Sequence, residues 1–217
     1  MLLEQYIYSV GKGFILGGSL CFLSLTLDTT VAYKSFKKMK KYHPQLYFRS
    51  VIITQANLMV VSPVMYGMVD TTMLKHTTDI EWFNIFATLM IHCIGYYGVH
   101  YSMHKVKWLY QIHKFHHEFD RLLLPSVGNS VSIMEFCLAY MLPFIVSAYI
   151  LEPNEFSFVV PITIIALLNM AIHTQELEHV PWVRWLVSPR EHILHHKKRN
   201  KHYAAPTLNI DYLLGQN

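Results

Sequence analysis

Fourteen histidines fall within 217 residues, and most of them sit in four short clusters. The first is His100-Tyr-Ser-Met-His104. The second is His113-Lys-Phe-His116-His117, and the fourth, His192-Ile-Leu-His195-His196, repeats its HxxHH spacing. The third pairs His173 with His179. On a helix, residues i, i+3 and i+4 share a face. His100 and His104 are therefore expected to project together. Each HxxHH set is expected to offer up to three imidazoles to one small volume. Imidazole suits iron, copper, zinc and nickel. One ion takes about four to six ligands, so ten histidines are too many for one ion and suited to two. Two such ions with open positions can bind and reduce O2. The electrons must come from outside, because the chain shows no flavin or haem motif.

Isolated histidines more often pack or hydrogen-bond than bind metal. His43 and His76 fall in connecting segments and are read that way. His92 lies in an apolar stretch, off the cluster spacing. Ionisable residues there are usually functional or paired, which gives His92 at most a supporting role. His202 follows the last cluster and reads as a surface residue. Chance is a poor account of two HxxHH sets and an HxxxH together. The chain contains no HExxH or HxxEH protease signature, no GxSxG and no Gly-rich phosphate loop. Soluble di-iron bundles use paired ExxH motifs with added glutamates; here Glu176-Leu-Glu-His179 matches once.

The elements that must position these side chains are membrane helices. The chain is 53% hydrophobic and 15% charged, where a soluble domain carries roughly a quarter charged residues. A bilayer core needs about 20 mostly apolar residues per helix. Five stretches qualify: Gly13 to Tyr33, Ser50 to Val69, Trp82 to Met103, Val131 to Leu151, and Phe156 to Gln175. The expected architecture is all-α, with four to five transmembrane helices and a histidine-rich helical cap holding a dimetal site. Pro153 marks a tight turn between the last two spans. Without repeats or linkers, residues 1–217 read as a single domain. The N-terminus lacks a basic stretch and a cleavage site, so the first apolar segment is expected to remain a span. Cys21, Cys93 and Cys137 all lie in apolar stretches and read as buried thiols.

Charge sets an expected orientation. With five spans, Lys12 and Lys75 fall on one side. The other 16 of 18 Lys and Arg fall on the opposite side, in Lys34–Arg49, Lys105–Arg121 and Arg184–Lys201. Positive residues favour the cytosolic side, so the histidine clusters are expected to face the cytosol. Lys34-Ser-Phe-Lys-Lys-Met-Lys-Lys41 directly follows a span. Its natural partner there is anionic lipid, and nucleic acid is not expected.

These residues resemble the fatty acid hydroxylase/sterol desaturase superfamily of membrane enzymes. The likeness runs from the third span to the C-terminus. Residues 100–120, HYSMHKVKWLYQIHKFHHEFD, resemble its HxxxH…LYxxHKxHH block. Residues 173–196, HTQELEHVPWVRWLVSPREHILHH, resemble its single-histidine element followed by PxxHxxHH. Glu135 resembles a glutamate that follows the second box. Tyr203 and the segment Asn209 to Gly215 resemble the usual ending, although its N-Y-G is His202-Tyr203-Ala204 here and its W-D-R is Ile210-Asp211-Tyr212.

The resemblance implies two metal ions, O2, a lipid substrate and an external donor such as cytochrome b5 or a similar reductase. The implied ligands are His100, His104, His113, His116, His117, His173, His192, His195 and His196, with His179 as the tenth. Iron is the expected metal, and purified protein can also carry zinc. Glu135, Asp120, Glu118 and Asp211 are candidates to bond the second nitrogens of these rings. The expected activity is O2-dependent di-iron hydroxylation of a sterol or fatty acyl C–H bond. Desaturation and alkylglycerol ether cleavage are alternatives on the same fold, and His173-Thr-Gln is compatible with the latter. A non-catalytic histidine-rich membrane protein is the alternative from another class. Transporters, however, place ligands within spans, whereas these clusters lie at span ends. In a eukaryote the resemblance implies the endoplasmic reticulum.

Overall fold

The computed structural model describes residues 2–120 and 122–216. Arg121, which ends the middle basic segment, lies outside the described residues. Regular structure among the described residues is helical, apart from two isolated β-bridges. Five helices are long and apolar enough to cross a membrane: α1 (Leu2–Thr29), α3 (Pro44–Thr72), α4 (Trp82–Lys105), α6 (Ile133–Leu151) and α7 (Glu155–Ile172). These are the five expected spans, with the first two longer than their most apolar stretches. The short helices are α2 (Tyr33–Tyr42), α5 (Lys107–His113), α8 (Pro189–Lys198) and α9 (Ile210–Leu213).

Small residues bring α1 and α3 together. A Cβ on Gly17 would lie 1.8 Å from the Leu58 carbonyl oxygen, and one on Gly13 would lie 2.8 Å from Pro63 Cα. Lipid gives helices little hydrophobic reason to associate, so close backbone approach through a Gly-xxx-Gly stripe supplies the packing. Both α3 and α6 contain a wide π-helical turn, at Asn57–Val61 and Phe136–Met141. Each is followed two residues later by a proline, Pro63 or Pro143. A helical proline ring clashes with the carbonyl four residues back. Those carbonyls, of Met59 and Ala139, fall inside the widened turns, where the clash is relieved.

At the end of the bundle away from the histidines, Lys12, Asp70 and Glu155 form one ion-paired cluster. Lys12 Nζ lies 2.7 Å from Asp70 Oδ2 and 2.8 Å from Glu155 Oε1. Tyr66 donates to the same Glu155 oxygen at 2.6 Å. Charges near hydrocarbon are costly unless paired, and this cluster ties α1, α3 and α7 together. The turn at Pro153 forms as expected. Glu152 closes α6 in the left-handed conformation at φ 42°, and the Asn154 side chain caps α7 by accepting from Ser157 N–H at 2.9 Å. The cysteines are free thiols, with Cys21 and Cys93 buried and Cys137 partly so.

Candidate metal centre

The histidines meet where α4 and α7 end. His100 and His104 project from the last turns of α4. His113 ends α5, and His116 and His117 follow on a tight turn. His173 lies one residue past α7. His192, His195 and His196 come from α8, which is well made for its position. Ser188 accepts from Glu191 N–H at 3.2 Å and Glu191 accepts from Ser188 N–H at 2.8 Å, a reciprocal cap, with Pro189 at the first helical position.

Nine of the ten predicted side chains come together, in two groups. One holds His100, His104, His113, His117 and His195; the other holds His116, His173, His192 and His196. Within each group the ligand nitrogens lie within 4.8 Å of one another. All are buried except His104, which is half-buried. The expectation that each HxxHH set serves one volume is corrected: both sets are divided. His113 and His117 join the first group while His116 joins the second. His192 and His196 join the second while His195 joins the first. At about 3.6 residues per turn, i and i+4 lean one way and i+3 leans to the other side of the stripe. Each set thereby bridges both groups.

His179 is not in either group. It is exposed, on the rim of a surface groove with Trp182, Arg184 and Arg190. The chain leaves helical register at His173 and enters a short 3-10 turn at Gln175–Leu177, so nothing carries a residue six positions on back to the cluster. Glu176, from the lone ExxH, accepts the Ser35 N–H at 2.8 Å and clasps α2 instead.

The ring nitrogens are turned in a consistent way. His100 Nδ1 donates to the Tyr203 carbonyl at 2.9 Å, His195 Nδ1 to the Lys201 carbonyl at 2.8 Å, and His173 Nδ1 to the Asn169 carbonyl at 2.8 Å. His113 Nδ1 meets Glu135 Oε1 at 2.6 Å. A carbonyl only accepts, so these bonds place the proton on Nδ1 and leave Nε2 as a bare lone pair. Yet the Nε2 atoms face each other. His100 and His113 are 3.1 Å apart there, His117 and His113 2.8 Å, His173 and His192 2.9 Å, and His173 and His116 3.3 Å. In the His100–His113 pair both Nδ1 atoms are turned to outside acceptors, so two lone pairs meet and repel unless a cation lies between them. His116, His117 and His192 have no Nδ1 partner, so in the other pairs one Nε2–H can donate to the facing nitrogen. Metal–imidazole bonds of about 2.0–2.1 Å put neighbouring ligand nitrogens roughly 3 Å apart, which is the spacing found. The residues fit a metal ion in each group, held by imidazole with no carboxylate among the donors.

Electrostatics support the neutral form. His116, His192, His195 and His196 are held well below the usual histidine pKa, by burial first and by neighbouring histidines second. His173 is lowered to about 4, again mainly by burial. Neutral imidazole is the form that binds metal.

Of the four carboxylates expected to bond ring nitrogens, only Glu135 does. Glu118 is exposed and lies 3.6 Å from Arg49, while Asp120 lines a surface groove. Asp211 acts one step removed: it accepts the Ala204 N–H at 2.7 Å and holds the irregular segment whose Tyr203 carbonyl receives His100. His202 is buried rather than on the surface, at a left-handed φ of 61° in the same segment. His92 is buried with both nitrogens unpartnered, 4.5 Å from the Phe144 ring centre. The carbonyl partners Tyr203, Lys201 and Asn169 escaped sequence reasoning, because any residue offers a carbonyl.

Residues 85–216 match the family model described as fatty acid hydroxylase. The chain belongs to the fatty acid hydroxylase family. The match covers more than half of the chain and includes all nine clustered histidines, Glu135 and Asp211. It begins within α4, so α1, α2 and α3 lie outside it. Neither a curated protein nor a solved structure matches the chain. Five candidate spans make this fatty acid hydroxylase family member a multi-pass membrane protein, and its histidine groups suit the metal dependence typical of such hydroxylases.

Proposed function

We propose that residues 1–217 form one unit that hydroxylates a lipid C–H bond with O2, using two iron ions held by the nine clustered histidines. The observation that carries this is the pair of all-imidazole groups whose Nε2 atoms face one another at 2.8–3.3 Å. Bound iron supplies the reduction of O2 and the removal of hydrogen from an unactivated carbon. The chain's own residues keep nine imidazoles neutral, fix four of their tautomers and exclude water. Glu135 orients His113, and the Tyr203, Lys201 and Asn169 carbonyls orient His100, His195 and His173. A sterol or acyl substrate enters from the bilayer.

Electrons come from a cytochrome b5-type or similar carrier. His117 lines a surface groove of about 630 Å³ whose rim sets Arg49, Lys114 and Arg199 against Glu118 and Asp120, a cationic excess that suits an acidic partner. The groove lies among the basic segments, so the reading places this face in the cytosol and, in a eukaryote, at the endoplasmic reticulum. The test is the purified protein's metal content combined with lipid profiling of cells that lack or overproduce it. Two irons per chain and an oxygenated lipid that follows protein level are expected. A protein without stoichiometric metal, or a lipid profile that never changes, overturns the proposal.

A further inference from the structure

We propose that Asp28, Thr54 and Asn57 are positioning residues for the second histidine group, acting through the buried segment 124–131. All three lie on α1 and α3, outside the region that matches the family. The inference rests on the reading that both histidine groups hold metal.

Every residue of this segment, LLPSVGNSV without its first leucine, is buried, and most of it winds as a short 3-10 turn. Its backbone polar groups are therefore removed from water and need partners. Side chains of the spans supply them. Asp28 accepts from Ser126 N–H at 3.0 Å and from the Ser126 hydroxyl at 2.6 Å. Thr54 donates to the Ser126 carbonyl at 2.9 Å. Asn57 sits at the start of the π-helical turn in α3. Its amide donates to two carbonyls at once, Asn129 at 3.0 Å and Val131 at 2.9 Å. From the other side, Tyr140 and Asn169 both donate to the Gly128 carbonyl, at 3.1 and 3.0 Å.

The segment so held presses on the second group. A Cβ on Gly128 would lie 2.8 Å from Asn169 Nδ2 and 3.2 Å from His173 Nδ1. Asn169 is the residue whose carbonyl orients His173. The Ser130 backbone lies against the His116 ring. His116 and His173 thus share one floor, and that floor hangs from α1 and α3. His100 and His195 of the first group are oriented instead by Tyr203 and Lys201.

The test uses the full chain in detergent, loaded with cobalt(II), reading ion stoichiometry and the visible cobalt absorption. Two cobalt ions are expected for the native protein. Asp28→Ala and Asn57→Ala are expected to retain one, with the spectrum of a His173→Ala reference. Thr54→Ser keeps the hydroxyl and is expected to retain two. Gly128→Ala approaches from the histidine side, independently of Asp28 folding effects, and is expected to retain one. Two ions with an unchanged spectrum in Asn57→Ala and Gly128→Ala overturn the inference, as does equal loss of both ions from folded protein. A native chain that binds no cobalt overturns the metal reading as well, which separates the two failures.

Discussion

Glu135 Oε1 lies 2.6 Å from His113 Nδ1, and both side chains are buried. A carboxylate there fixes the ring's tautomer and makes its other nitrogen a better donor. Glu135→Gln keeps the shape and removes the charge. Metal affinity of the first group is expected to fall roughly 10- to 100-fold, measured by competition with a chelator of known affinity. An unchanged affinity means that the pair is packing alone.

The division of each HxxHH set predicts opposite losses from neighbouring histidines. His195→Ala is expected to empty the first group, and His196→Ala and His116→Ala the second, each leaving one ion by metal analysis. His179→Ala is expected to leave both, since its ring is exposed and outside either group.

The metal-free protein is expected to lose stability in acid. His173 is lowered to about 4, and His116, His192, His195 and His196 are also held well below the ordinary value, by burial first. Unfolded histidine titrates near 6.5, so below that pH the unfolded chain binds more protons than the folded one. Stability is full above about pH 6.5 and falls as pH drops toward 4. The thermal midpoint in detergent between pH 7.5 and 4.5 checks this. A flat profile contradicts it.

Gly17→Ala should loosen the crossing of α1 and α3, because its methyl would sit 1.8 Å from the Leu58 carbonyl oxygen. Overpacking of this kind costs typically about 1–3 kcal/mol. Gly18→Ala is the control, since nothing lies within 4 Å of a Cβ there. Thermal unfolding should separate the two variants.

Orientation is open to a direct test. A glycosylation tag beside Lys75 should be modified and one beside Lys38 should not. The reverse pattern would overturn the cytosolic placement of the histidines.

Much of this molecule is written in local pattern. A span announces itself by about 20 apolar residues, so five helices could be read directly from composition. The histidine sets are equally local, and they named all nine side chains that the fold gathers. What sequence alone determined, then, was the number of candidate spans and which histidines the fold would gather. Tertiary structure decided how the histidines are shared. It split each HxxHH set between two groups, because neighbouring i+3 and i+4 positions diverge around a helix and can face different partners. It set His179 aside by ending α7 at His173's doorstep. It also chose Glu135 over Glu118 and Asp120, because only Glu135 is carried by a span into the buried space beside His113. Above all, it joined Asp28, Thr54 and Asn57 to a segment some 70 to 100 residues away. Such pairings arise because buried backbone groups must find partners, and no local pattern records where those partners come from.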